Sequence, residues 1–164
     1  MIEFEAIDRD LLEGRQGRSA SVAMSLLVRY AEAIGARRFI PIGSAHIDGC
    51  LYHGPSSIDF VRRFVEMKGR VRVPATLNVA ALDAVHACRD AAPQELVDAQ
   101  NELTRLHVEL GCAPTLTCAP YQRLYRPKRG EHVAWAESNA IVFVNSVLGA
   151  RTDRWGISRI CAPP

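Results

Sequence analysis

The sequence predicts an α/β fold, a mainly parallel sheet with flanking helices. Two features carry that expectation. Segments with apolar residues at helical spacing alternate with short strand-like segments, and polar residues gather just after the strand-like ones. Parallel strands joined by crossover helices are the arrangement that such alternation implies. Residues 19–35 read as the first helix, with Val22, Leu26, Tyr30 and Ile34 on one face and Gly35 as the stop signal. Residues 38–42 read as a short strand that Pro41 ends or confines to an edge. Residues 55–68 form the second helix, with Pro55 in its first turn and Ile58, Val61 and Val65 at helical spacing. Residues 70–73 alternate like a strand and stop at Pro74. Residues 93–110 form the third helix, whose seam runs Leu96, Ala99, Leu103, Leu106, Leu110 before Gly111 closes it. Residues 115–118 and 133–135 are candidate strands, and 140–144 is open between strand and helix. No internal repeat, low-complexity tract or linker interrupts the 164 residues, a length that suits one domain.

Composition narrows the class. A content of 48% hydrophobic and 23% charged residues is that of a soluble globular protein. The net charge of +2 is by itself no argument for nucleic acid, and neither nucleic acid nor a membrane is expected as a partner. The first ten residues are acidic and lack the apolar core of a signal peptide, so the cytoplasm is the expected location. Five cysteines (Cys50, Cys88, Cys112, Cys118, Cys161) contain no C-x-x-C pair. Their odd count disfavours a disulfide framework, and their spacing disfavours a structural zinc site. Most read as small buried apolar residues. Cys118 stands apart by its position.

The most informative stretch is 130–152. It threads Glu131, His132, Glu137, Ser138, Asn139, Asn145, Ser146 and Arg151 around an apolar run. Each polar group buried there must find a partner or cost stability, so this density reads as a site for a small, polar, anionic ligand. Three further clusters follow strand-like segments: Ser44, His46 and Asp48; Thr76 and Asn78; and Cys118 to Tyr121. Ligands of open parallel sheets bind beyond the strands' carboxyl ends, so the four clusters are expected to converge. Singly, each has a plainer reading. His46 alone reads as a satisfied loop histidine, Asp48-Gly49 as a turn, and Asn78 and Ser138 as caps. Arg123, Arg126, Lys128 and Arg129 read as a solvated loop. His53, His86 and His107 have no polar company and read as surface residues.

Together the clusters resemble the aconitase X family. The matching elements are Ser-Ala-His at 44–46, Val-Arg-Val-Pro-Ala-Thr-Leu-Asn at 71–78 and Thr-Cys-Ala-Pro-Tyr at 117–121. They continue with Gly-Glu-His-Val-Ala-Trp-Ala-Glu-Ser at 130–138 and Asn-Ser-Val-Leu-Gly-Ala-Arg-Thr at 145–152. The opening Leu-Glu-Gly-Arg-Gln-Gly at 12–17 is also similar to the family's start. The resemblance runs from about Leu11 to Thr152. It implies a partial aconitase-like large domain at 1–152 and a hydro-lyase chemistry, removal of water from a β-hydroxy acid assisted by iron or an iron–sulfur cluster. Cys118 matches the family's first cluster cysteine. Ser44, His46, Asp48, Thr76, Asn78, Glu137, Ser138 and Asn139 would bind substrate, with the planar donor fork of Arg151 suited to its carboxylate or phosphate.

Two subgroups compete for the substrate. The run 46–56 resembles the enzymes that dehydrate cis-3-hydroxy-L-proline more than those that dehydrate a phosphorylated mevalonate, and so does Thr-Cys-Ala-Pro-Tyr at 117–121. The family's further cluster cysteines lie in a second half of the large domain, and its base serine in a separate small domain or subunit. Residues 153–164 diverge from the family, and Cys161 among them has no assigned role. The expectation is therefore a partial enzyme, inactive alone and without a catalytic residue of its own. It would need the rest of the large domain and the small domain or subunit as partners. A non-catalytic remnant binding metal or small acids is the alternative of another class.

Overall fold

The computed structural model describes residues 1–82, 92–122 and 125–153. Its elements are, in order, α1 (Ala6–Leu12), α2 (Arg18–Ala33), β1 (Ala45–Ile47), α3 (Pro55–Glu66), β2 (Ala75–Leu77), α4 (Gln94–Glu109), β3 (Ala134–Trp135) and α5 (Ser138–Phe143). The three strands are all parallel in the order β2-β1-β3, with His46 opposite both Thr76 and Trp135. Helices flank them, so the fold is α/β.

The three long helices lie within two residues of where apolar periodicity puts them. Helix α1 is additional: the backbone N–H of Glu5 donates to Asp8 Oδ2 at 2.8 Å, capping a turn whose Leu11 is buried. Val61 of α3 packs on Leu103 and Leu106 of α4. Each leucine is fully buried, which contributes roughly 1.5–3 kcal/mol per side chain. The segment left open at 140–144 is helical, and α5 runs on into a π-helical turn at Val144–Leu148. Gly149, at φ 68°, ends that turn in a left-handed conformation that a β-carbon disfavours.

The expected strands at 38–42 and 70–73 are not strands. Pairing starts a few residues later, at Ala45 and Ala75, because the strand residues include the polar ones first assigned to loops. Arg38 makes only an isolated bridge, to Glu3. Residues 115–118 are likewise no strand. Leu116 has φ 45°, incompatible with extended pairing, although Thr115 Oγ1 still donates to the Leu77 carbonyl at 2.8 Å.

Alternation along the strands separates two faces. Ala45, Ile47, Ala75 and Leu77 join Cys50 and Cys112 in an apolar cluster. His46, Thr76 and Trp135 take the opposite face, where Trp135 packs with Val133, Ala140 and Val144. His107 is not a surface residue but is 3% exposed, its Nδ1 donating to the Leu103 carbonyl at 2.9 Å. Its polar company is its own helix, one turn back. His86, Cys88, Arg123 and Cys161 lie outside the described residues, as do 154–164 of the divergent tail. Among the described residues no helix is long and apolar enough to cross a membrane.

Candidate functional site

Two-residue alternation carries His46 of β1, Thr76 of β2 and Trp135 of β3 to one side of the sheet. Asp48, Asn78 and Glu137 follow two residues later, just past the carboxyl end of each strand. The sequence holds the signal in its spacing, since each polar residue is repeated at i+2.

The hydrogen bonds fix the orientations. His46 Nδ1 lies 2.8 Å from Thr76 Oγ1, and the Thr76 hydroxyl in turn donates to the Ala45 carbonyl at 3.4 Å. Thr76 is thereby placed to set the imidazole tautomer, as acceptor from Nδ1–H or as donor to Nδ1. The Asn78 amide nitrogen donates to Asp48 Oδ1 and, at 2.8 Å, to Glu137 Oε2. Both amide protons are thereby used and the carboxamide oxygen points elsewhere. His46 is 1% exposed and Asn78 is wholly buried; neither His46 Nε2 nor Asn78 Oδ1 makes a hydrogen bond of ordinary geometry, although the Asn78 side chain acts on His46 as an acceptor that favours its cation. Buried polar atoms are almost always satisfied, so these two mark a place where a ligand group would complete the hydrogen bonding.

Electrostatics follow from this geometry. Burial lowers the pKa of His46, outweighing the carboxylates of Asp48 and Glu137, which favour its cation. Burial, followed by the charges of Glu137 and Asp48, raises the pKa of the Cys118 thiol. Glu137 sits at φ 83°, an uncommon backbone for a residue with a β-carbon, at the turn between β3 and α5. The Asn139 side chain donates to the Cys118 carbonyl at 3.0 Å and ties the cysteine's loop to α5.

The remaining candidates fall in different places. Ser44 is buried one strand position before β1, where its Oγ accepts from Trp135 Nε1 at 3.0 Å. That bond orients the indole whose ring lies 6.0 Å from the His46 ring, so Ser44 acts behind the cluster. Ser138 and Asn139 are exposed at the start of α5. Arg151 is not brought to the cluster. It pairs with His132 and Val133 ahead of β3, whereas Glu137 follows that strand. It lines a separate pocket of about 250 Å³ with Ile42 and Trp135.

Two contributors went unread in the sequence. Trp135 is one. The other is Gln100, 2% exposed on α4, whose Oε1 accepts from the N–H groups of Tyr52 (3.1 Å) and Ala81 (3.0 Å). Its Nε2 donates to the Cys50 carbonyl at 2.9 Å. Gln100 therefore clamps the loops that leave β1 and β2. A glutamine within a turn of Leu103, on the buried seam, was the available signal.

A cavity of about 720 Å³ lies elsewhere, lined by Ile47 and Cys112 together with Leu27, Tyr30, Phe60 and Phe64. Its apolar walls lie on the side of the sheet away from His46. For a metal, Cys118 is the partly exposed thiol among the described residues, and both Asp48 and Glu137 act on it; Cys50 and Cys112 are buried in the apolar cluster. Burial pushes the Cys50 thiol up to about 11. Among the described residues no group of three or more histidine, cysteine or acidic side chains is arranged to hold a metal ion. The described residues do not fit an iron or iron–sulfur centre by themselves.

Comparison with known proteins gives these features a context. A family model described as "Aconitase X first domain" matches residues 1–162. The chain is 42% identical over 154 residues to a cis-3-hydroxy-L-proline dehydratase of Hypocrea jecorina (strain QM6a), covering 94% of the chain and 26% of that protein. It is 40% identical over 148 residues to a phosphomevalonate dehydratase large subunit of Thermococcus kodakarensis, covering 89% of the chain and 36% of that protein. The crystal structure of Thermococcus kodakaraensis aconitase X in its holo-form superposes with a TM-score of 0.82 at 37% identity, over 93% of the chain and 38% of that structure. The chain thus spans 26–36% of the length of these two relatives. It belongs to the aconitase X family.

Proposed function

We propose that this chain is the N-terminal part, 1–152 with a short tail, of a hydro-lyase that removes water from a β-hydroxy acid, cis-3-hydroxy-L-proline before phosphomevalonate. The observation that carries the reading is the pair of buried polar atoms without an ordinary hydrogen bond, His46 Nε2 and Asn78 Oδ1, in a chain 42% identical to a dehydratase of that amino acid. A hydroxyl leaves as water by receiving a proton, so these buried groups would orient it rather than take its proton. Thr76 orients the His46 imidazole through its contact with Nδ1. Asn78 fixes the carboxylates of Asp48 and Glu137 around the same space. Ser138 and Asn139 would line its rim and Arg151 would act only through a bound partner or a longer ligand.

Iron or an iron–sulfur cluster is the cofactor that the family implies, and when bound it would supply Lewis-acid chemistry. Cys118 would give it one thiolate, and further ligands must come from polypeptide beyond the described residues. The proposed partners are therefore the rest of a large domain and a small domain or subunit. The test is anaerobic reconstitution with iron and sulfide. The 164-residue chain alone is expected to dehydrate neither substrate, whereas coexpression with the complementary parts restores turnover that Cys118→Ala abolishes. Turnover by the chain alone would overturn the division of the site. No turnover of either substrate in the assembled protein, with metal bound, would favour a remnant that only binds metal or acids.

A further inference from the structure

We propose that Asp48, together with Glu137, receives the ring ammonium of a five-membered cyclic amino acid, and that Asp48 is the residue selecting such a substrate over a nitrogen-free anionic hydroxy acid. The inference deepens the hydro-lyase reading and rests on it.

Two carboxylates converge on a single amide nitrogen, that of Asn78. Neither takes part in an ion pair among the described residues. The fully buried Asn78 Oδ1 beside them makes no hydrogen bond of ordinary geometry. The place is therefore rich in acceptors, and its formal charge is negative. Such a place takes a cationic donor. The charges of Asp48 and Glu137 act at both His46 and Cys118, and no lysine or arginine is among the groups that act there.

The two substrates in the relatives' names differ in this respect. cis-3-Hydroxy-L-proline carries a secondary ammonium with two N–H donors beside its hydroxyl. Phosphomevalonate brings a phosphate and a carboxylate, which would set acceptors against acceptors and anion against anion. Glu137 lies in the stretch common to the family's pattern, whereas Asp48 lies in the 46–56 run that resembles the hydroxyproline enzymes. Discrimination therefore falls to Asp48.

Isothermal titration calorimetry on the assembled protein, this chain with its complementary large-domain and small-domain parts, tests the inference with L-proline and cyclopentanecarboxylate. The two ligands share ring and carboxylate and differ in the nitrogen. L-Proline is expected to bind roughly 10- to 100-fold tighter, the range of a hydrogen bond to a charged partner. Asp48→Asn keeps the acceptor oxygen for Asn78 and should bring the ratio near unity by weakening L-proline alone. Equal binding of both ligands by the unaltered protein overturns the inference and leaves the hydro-lyase reading standing. So does an Asp48→Asn protein that keeps the preference but loses iron in proportion to activity, for Asp48 would then serve the metal. Turnover of phosphomevalonate in preference to the amino acid overturns it as well. Binding of neither ligand, in a protein that also turns over neither substrate, removes both readings together. Should Asp48→Asn fail to fold, the comparison of the two ligands on the unaltered protein still decides.

Discussion

At the scale of single residues, the site depends on how one proton is placed. If Thr76 accepts from His46 Nδ1–H while its own proton goes to the Ala45 carbonyl, the imidazole is held in a single tautomer. Thr76→Val preserves shape and removes the acceptor. It should cost about 1–3 kcal/mol in urea unfolding, the cost of leaving a buried donor unsatisfied, with Thr76→Ser close to the native value. Nitrogen NMR of the imidazole should show a single Nδ1–H form in the native protein and a mixture in Thr76→Val. A single form in both would refute the tautomer assignment. A second prediction concerns pH. Burial lowers the pKa of both His46 and His107 from the ordinary 6.5. Below 6.5 the unfolded chain therefore binds protons that the native chain refuses. Their stabilising contribution is complete above that value and is lost as pH falls toward the lowered native values. The melting temperature should drop between about pH 7.5 and about pH 5.5, and a His46→Asn, His107→Gln double variant should flatten that drop. A drop of unchanged size in the double variant would assign it to other groups.

At the scale of elements, helices were legible where strands were displaced. Ile58, Val61 and Val65, or Leu103 and Leu106, repeat over enough turns for periodicity to place α3 and α4. A three-residue strand such as Ala45–Ile47 offers no such repeat, and with His46 at its centre it reads as loop. The polar side chain is tolerated there because Thr76, at the same register on β2, supplies its partner. Gln100 illustrates the same limit. Its function is to hold two loops from a third element, and only the folded chain brings Tyr52, Ala81 and Cys50 to it. Gln100→Leu is expected to destabilise the domain by about 1–3 kcal/mol and to weaken ligand binding at Asp48 and Asn78 without touching either. Denaturation paired with titration would check it, and unchanged affinity would show that the loops hold themselves. A tighter constraint lies at Gly69, where an added β-carbon would come within 2.8 Å of the Phe64 carbonyl oxygen. Gly69→Ala should lower the melting temperature, since backbone cannot yield as a flexible side chain does.

At the scale of the whole molecule, Val142 and Val147 of the α5 region are 64% and 62% exposed. A Val142→Asp, Val147→Lys pair should raise the solubility of the isolated chain and reduce turnover in the coexpressed assembly. Full turnover would mean that this surface takes no part in assembly. The sequence by itself determined the alternation of helix and strand, the α/β class and the family, because periodicity and ordered motifs are local properties of the chain. It also grouped His46, Asp48, Asn78 and Glu137 as candidate ligand-binding residues. Only the tertiary structure decided that these four share one face while Arg151 stands at the other end of β3, and that Ser44 serves Trp135. The physical reason is register. A shift of one residue along a strand exchanges its two faces, and register is set by pairing between segments some thirty to ninety residues apart, which no local pattern records.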